Sequence, residues 1–494
     1  MRKPADDLDG GRGGRTMGQK TYPDMKVREG WLEKVAIRVT AWSERWFPDA
    51  YVFALLALII VALCALANGT PIEAVAQSFG DGFWGLIPFT MQMAMLVIGG
   101  YCVARSPAAS WLIEALARFP QSARGTIVFV AIVAITTSLV HWAFSTVFCA
   151  LLVRTLARRE DLRFDYRAAS AAAYLGLGAV WALGISSSAA QLQANPASMP
   201  EALLKISGVL PFSQTIFLWQ SMLMLGAIAV SSILICYFSA PLGERTKTAA
   251  DMGVDAHGDA IILPPRSRPG EWLEYSPILT LFVFAVGMIW VVNEFAHKGA
   301  LRGISDLNSY NLMFLLFGML LNWRPKRFLI VVAKAVPATA GVLIQFPIYS
   351  AIAFLISRAK GAGGLTLTDH LTTIFVSVAT RETFAPLVGI YSAVLGFFMP
   401  SGGGKWLVEA PYVMQAAVNL KAHLGWAVQA YNAGEALPNL INPFWMLPLL
   451  GVLGLQARDI VGFTFLQLAV HLPVVVFLLW LLSYTLAYVP PMMP

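Results

Sequence analysis

From about residue 50 onward, apolar residues along this chain come in long blocks. A bilayer crossing needs about 20 such residues. The blocks predict crossings near 51–67, 83–104, 168–192, 211–239, 276–294, 309–323, 333–357, 424–456 and 460–488. Two further apolar stretches, 125–157 and 384–419, are too short for two ordinary crossings each. Arg105, Arg118 and Arg124 precede the first, and Arg154, Arg158, Arg159, Arg163 and Arg167 follow it, which places both ends on one side of the membrane. It reads as a re-entrant hairpin with its tip near His141-Trp142-Ala143-Phe144-Ser145. The second stretch has a similar length and carries Met399-Pro400-Ser401-Gly402-Gly403-Gly404-Lys405 at its middle. Proline and three glycines oppose a continuous helix. Broken backbone at membrane depth is tolerated only where protein or a water-filled cavity covers it.

The two hairpins belong to a duplication. In the first half, Ile87 to Gly100 contains Gln92, a tip follows near His141, and Ala173-Tyr174-Leu175-Gly176 leads to a break at Gly184-Ile185-Ser186-Ser187-Ser188. In the second half, Gly341 to Ile356 contains Gln345, a tip follows near Pro400, and Ala430-Tyr431-Asn432-Ala433-Gly434 leads to a break at Asn439-Leu440-Ile441-Asn442-Pro443. The expected domains are a first repeat at 49–240, a polar linker at 241–275, one extra crossing at 276–300 that reverses the second copy, and a second repeat at 301–494. Residues 1–30 are polar and charge-rich and predict a disordered extension; 31–48 predicts an interfacial helix. Arg28, Lys34, Arg38 and Arg45 precede the first crossing, and loop 68–82 has no Lys or Arg, so the N-terminus is expected in the cytoplasm. The predicted fold class is an all-α polytopic membrane protein: an inverted-topology repeat with about nine crossings and two opposed re-entrant hairpins, the architecture of secondary transporters.

Composition agrees. The 494 residues are 57% hydrophobic and 13% charged, against roughly 25% charged in soluble domains. The net charge of +7 reads as loop bias of a membrane protein, with no nucleic-acid partner expected. The four cysteines lie in apolar runs without metal-ligand spacing. No nucleotide-binding, zinc-protease or serine-hydrolase motif is present, and no enzyme activity or cofactor is expected.

Candidate chemistry gathers at the tips and breaks. Ser401 and the N–H groups of Gly402, Gly403 and Gly404 can form an anion-binding nest at a half-helix start. Lys405 either neutralises a carboxylate there or snorkels to the interface. Asn439 and Asn442, with carbonyls freed by Pro443, suit a sodium ion; the bland reading is a kinked helix whose Asn side chains cap backbone. Glu435, on one helical face with them, is a candidate for a coupling proton or cation. Ser186, Ser187 and Ser188 offer hydroxyls to a carboxylate or a cation, or serve as small helix contacts. His141 and Ser145 line the first tip, where the histidine is either a ligand group or a structural one. Gln92 and Gln345 either touch ligand or staple helices. The substrate-binding set is thus Ser401, Gly402, Gly403, Gly404, Lys405, Ser187, Ser188, Gln92, Gln345 and His141; the coupling-ion set is Asn439, Asn442, Glu435, Ser186 and Ser145.

Phe79-Gly80-Asp81-Gly82-Phe83-Trp84, Met91-Gln92-Met93-Ala94, Asn311-Leu312-Met313-Phe314, Gln345-Phe346-Pro347, Pro400-Ser401-Gly402-Gly403-Gly404 with Trp406, Pro443-Phe444-Trp445 and Ala457-Arg458-Asp459-Ile460 together resemble the bacterial short-chain fatty acid transporter family. The resemblance runs in order from about residue 40 to 485. It implies uptake of monocarboxylates such as acetoacetate or butyrate across a bacterial inner membrane, coupled to sodium or protons. It also implies kinship with the ion transporter superfamily, whose hairpin-bearing domains move in an elevator-like manner; related architectures are often homodimeric. The family commonly has His after the third glycine, where this chain has Lys405. Another small carboxylate, a dicarboxylate or an aminoacyl-type substrate, is the alternative on the same architecture. An intramembrane hydrolase or acyltransferase using His141 and a serine is the alternative of another class.

Overall fold

The computed structural model describes residue 45 and residues 50–159, 161–256 and 261–491. The predicted N-terminal extension and most of the interfacial helix lie outside the described residues. Among the described residues every regular element is helical. The first half runs α1 (Ala50–Ala67), α2 (Ile72–Gly85), α3 (Ile87–Ala104), α4 (Pro107–Leu116), α5 (Ala123–Val140), α6 (Trp142–Ala157), α7 (Tyr166–Leu175), α8 (Ser188–Ala194) and α9 (Trp219–Ser239). Helix α10 (Ile278–Lys298) stands alone between the halves. The second half runs α11 (Leu307–Asn322), α12 (Pro325–Ala335), α13 (Ala340–Arg358), α14 (Leu367–Val378), α15 (Phe384–Phe398), α16 (Gly402–Asn419), α17 (Leu424–Asn439), α18 (Pro443–Leu453) and α19 (Ala457–Ser483). Short helices lie in some of the connections.

Seven helical runs among the described residues are long and apolar enough to cross a membrane, and this is a multi-pass membrane protein. Exposed Leu, Ile, Val, Phe and Trp side chains along α1, α9 and α10 face outward as a lipid-facing belt would. The block predicted as one crossing at 83–104 is two helices, because Pro88 sits in the first turn of α3 and Leu86 breaks the run. Likewise the block at 333–357 is divided by a short turn at Val336–Thr339 containing Pro337, with α12 before it and α13 after.

Packing repeats between the halves. Helix α5 lies on α6 and α7, and α15 lies on α16 and α17. Helix α6 packs on α3 and α4, and α16 on α13 and α14. Across the halves, α1 and α2 pack on α13, as α11 and α12 pack on α3; α6 packs on α18, as α16 packs on α8. Helix α9 meets α5 and α15 meets α19, while α9 and α19, and α3 and α13, meet each other. The contacts named for α1–α9 thus parallel those of α11–α19; the short helix Glu201–Ser207, which also packs on α16, and α10 stand outside this pattern.

The polar linker is tied down. Asp165 caps α7 through Ala168 N at 3.0 Å, receives Lys247 N at 3.0 Å and pairs with Arg167 at 2.7 Å. Arg154 donates to the carbonyls of Val452, at 3.0 Å, and Asp255, and Arg158 to that of Ala256 at 3.0 Å. The linker therefore spans the ends of α6, α7 and α18.

Candidate functional site

Both predicted hairpin tips are sharp breaks between two helices. His141 separates α5 from α6, and its Nδ1 caps α6 by accepting from Phe144 N at 3.3 Å. Met399-Pro400-Ser401 separates α15 from α16, and Ser401 Oγ caps α16 by accepting from Gly404 N at 3.1 Å. The glycines are not the break itself; they form the first turn of α16. Their role is close approach. A Cβ on Gly402 would lie 2.1 Å from the Trp181 ring, and one on Gly404 2.3 Å from the Tyr349 ring. One on Gly403 would lie 3.1 Å from Phe89 and 3.2 Å from Ser188 Cβ.

The N–H groups of Gly402 and Gly403 make no hydrogen bond among the described residues. They belong to the orphan donors of a helix start and point out of its positive end. Ser188 Oγ also has no hydrogen-bond partner among the described residues, and Trp181 Nε1 is buried without one. Phe89 stacks on Phe346 at 6.0 Å, and Trp142, Trp181 and Trp445 form a second aromatic group with centroids 6.0–6.5 Å apart. Gly402, Gly403, Ser401 and Ser188 are all buried in this conformation. Chemically it combines unpaired donors at a helix start with apolar aromatic walls, which fits a small anion with an aliphatic tail.

Lys405 finds its partners inside the protein. It is fully buried, so it does not snorkel. Its Nζ donates to Ser392 O at 2.8 Å and Glu409 Oε1 at 3.0 Å, and lies 2.9 Å from Glu435 Oε2. The Tyr431 ring stands 4.4 Å away on another side. Each ion pair at this separation is worth about 5 kcal/mol of Coulomb attraction at an effective dielectric near 20, before desolvation is subtracted. The charge faces this cluster and is not free for a ligand at the tip. Helices α15 and α17 come close enough for it because Gly434 faces Gly389, where a Cβ would lie 2.3 Å from the carbonyl.

Each tip touches its own broken helix. Ser186 N donates to Leu139 O at 3.2 Å, and Ser186 Oγ accepts from Trp142 N at 2.8 Å. In the second half, Asn442 Nδ2 donates to Phe397 O at 3.1 Å. Leu139 and Phe397 occupy the same place, two residues before the end-cap of their helices. Ser145 Oγ donates to Ala134 O at 3.0 Å and accepts from Thr137 at 2.8 Å. The first broken helix leaves α geometry at Gly176, ahead of the expected 184–188, through a π-helical segment and a 3₁₀ turn. The breaks also tie to each other: Ser187 Oγ donates to Asn432 Oδ1 at 3.0 Å, and Tyr174 OH to Asn439 O at 2.7 Å. The Asn439 side chain is fully buried with neither polar atom partnered, and so is Glu435 Oε1. Among the described residues no group of three His, Cys, Asp or Glu side chains is arranged for a metal.

The remaining candidates lie at helix contacts. His141 packs on Phe314 at 4.2 Å and Tyr310 at 5.6 Å, and its Nε2 has no hydrogen-bond partner, so no serine or carboxylate forms a triad with it. Gln92 donates to Asn308 at 2.8 Å and accepts from Ser198 at 2.9 Å, while Gln345 accepts from Tyr349 at 3.2 Å. Gln92 thus staples separate segments, while Gln345 bonds within its own helix.

The sequence profile described as short chain fatty acid transporter matches residues 31–482. The chain belongs to the short-chain fatty acid transporter family. A protein of Escherichia coli K12 named for short-chain fatty acid transport is 33% identical over 435 residues, 87% of this chain and 96% of that protein. One of Haemophilus influenzae with the same designation is 31% identical over 464 residues, 91% and 100% of the two chains. Two solved structures share the fold at 14% identity: the Alcanivorax borkumensis YdaH transporter (TM-score 0.52, 92% of this chain and all of that one) and Neisseria gonorrhoeae MtrF (TM-score 0.57, 93% and all), described within a class of antimetabolite efflux pumps. The protein is thus a transporter-family member and not an enzyme.

Sequence reasoning missed several residues of this candidate site. Glu409 stands four residues after Lys405 in an apolar run, a lysine–glutamate spacing that one helix face brings together. The pairing with Glu435 and the walls formed by Trp181, Phe89 and Tyr349 had no such local signal, because they come from distant segments.

Proposed function

We propose that this protein is a secondary active transporter of short-chain monocarboxylates such as butyrate or acetoacetate, working by alternating access and coupled to sodium or protons. The observation that carries the reading is the start of α16: two unpaired, buried N–H groups at Gly402 and Gly403 beside Ser188, walled by Trp181 and Phe89. The carboxylate accepts from these amides and from Ser188, with Ser401 holding the turn. The short alkyl chain lies on the rings. Ser187, Gln92, Gln345 and His141 set the surroundings through the contacts described. Cation coupling falls to Glu435, Asn439 and Asn442 at the second break, with Ser186 and Ser145 as the matching polar group at the first.

The matching helix contacts support an inverted-topology repeat, with α10 as the extra crossing that reverses the second half. Hairpins α5–α6 and α15–α16 with the two broken helices form a moving transport domain. The crossings at α1, α9, α11 and α19 form its scaffold, in an elevator-type cycle and a homodimeric assembly. The membrane is a bacterial inner membrane, with the N-terminus in the cytoplasm. A dicarboxylate would need a second cationic partner, and the sequestration of Lys405 speaks against it.

The test is counterflow in proteoliposomes. Labelled acetoacetate should enter vesicles preloaded with unlabelled butyrate or acetoacetate, beyond the signal of protein-free vesicles, and succinate should compete poorly. No protein-dependent exchange of any short monocarboxylate would refute the reading.

A further inference from the structure

Building on that transport reading, the geometry points to Lys405 as a tethered cation filling an oxygen cage that a metal ion would otherwise take, and to Glu435 as carrier of a coupling proton. Three oxygens from three helices converge on Nζ: Ser392 O of α15 at 2.8 Å, Glu409 Oε1 of α16 at 3.0 Å and Glu435 Oε2 of α17 at 2.9 Å. A carbonyl and two carboxylates are ligands for a hard cation. Here an ammonium stands among them, hydrogen-bonded to two of the oxygens and in ion-pair contact with the third. While it stays there, those oxygens are spent on a cation that cannot leave the chain.

The cluster's charge does not balance. One ammonium against two carboxylates leaves one negative charge, and the partners show where it rests. Glu409 is satisfied on both oxygens, by Lys405 and by Ser392 Oγ. Glu435 is fully buried; its Oε2 touches Nζ without hydrogen-bond alignment, and its Oε1 has no partner. Among the described residues, the charged and titratable groups acting on Glu435 are Lys405 and Glu409, both on α16, with Tyr431 on its own helix. Helix α15 brings the neutral Ser392 and Gly396; Arg458, Asp459 and His471 of α19 are not among the groups acting on Glu435.

The one negative charge left over in this buried cluster is strongly unfavourable, and a proton cancels it without needing a coordination shell. Asn439, one turn further on α17, is buried with an unpartnered carbonyl oxygen and can accept from the resulting acid. In each cycle a proton from water on one side forms an O–H bond to Glu435. The neutral cluster crosses with the bound anion, and the O–H bond breaks on the other side to return the proton to water. One proton with one monocarboxylate moves no net charge.

The experiment uses the full-length protein in proteoliposomes, with labelled acetoacetate and protein-free vesicles subtracted for passive entry of the neutral acid. Wild type should accumulate substrate at least fivefold above equilibrium under an inward proton gradient. Replacing sodium by choline, or imposing a potassium diffusion potential, should leave that value unchanged. Glu435→Gln, whatever its rate, should no longer exceed the equilibrium level. Lys405→Ala empties the cage, and its exchange should become sodium- or lithium-stimulated at least fivefold. Accumulation driven by a sodium gradient in wild type, or pH-driven accumulation persisting in Glu435→Gln, would overturn the inference. These two arms decide it even if Lys405→Ala does not fold. Absence of all exchange in wild type would instead remove the transport reading beneath it.

Discussion

Alanine at each tip glycine in turn tests whether the glycines exist for close packing against rings. Carbon atoms normally rest about 3.5–4.0 Å apart. A Cβ at Gly402 would lie 2.1 Å from the Trp181 ring, so the ring or the helix must shift by about 1.5 Å. A Cβ at Gly404 faces Tyr349 at 2.3 Å, whereas at Gly403 the nearest atom is 3.1 Å away. Overpacking of this kind costs about 1–3 kcal/mol. Alanine returns up to about 1 kcal/mol of helix preference over glycine. Gly402→Ala and Gly404→Ala should therefore be destabilised by about 1–2 kcal/mol, and Gly403→Ala should be near neutral. Denaturation in detergent gives stability, and acetoacetate counterflow gives function. Because Trp181 is also a wall of the site, Gly402→Ala should lose exchange at least tenfold. A Gly402→Ala protein as stable and active as wild type, or a Gly403→Ala protein that is the worst of the three, would refute the packing argument.

Tyr431→Phe removes the hydroxyl that donates to Gly402 O at 2.5 Å, while that carbonyl keeps its bond within α16, so the loss should be that of one buried hydrogen bond, about 0.5–1.5 kcal/mol; thermal unfolding in detergent checks it. Ser187→Ala and Asn432→Ala break one hydrogen bond between the two broken helices, so a double-mutant cycle should return a coupling of about 0.5–3 kcal/mol, and additivity would show the bond to be idle. Asp165→Ala should cost about 1–2 kcal/mol through the lost cap of α7, and it should make the linker near Lys247 more sensitive to protease.

Most of the fold was legible because its signal is local. Apolar blocks marked long helices, and Pro400 and Pro443 marked breaks that the structure keeps within a residue or two. The divisions at Leu86 and Val336 were less legible, since they interrupt apolar runs without changing composition. At the site, the glycines read as part of the break and as an anion-binding nest at a half-helix start; they form the first turn of α16, packed on three rings, and that close packing had no signal in the sequence. Lys405 showed the limit of reading a charge in isolation. Its partners Glu435 and Ser392 lie on two other helices, and only the close crossing of α15 and α17 at Gly389 and Gly434 brings them together.

The most direct measurement of the central claim is a structure of the reconstituted protein with 4-bromobutyrate. The account places the carboxylate within hydrogen-bond distance of the Gly402 and Gly403 amides and the bromine against Trp181 or Phe89. A ligand found elsewhere, above all with its carboxylate on Lys405 Nζ in place of Glu409 or Glu435, would contradict it.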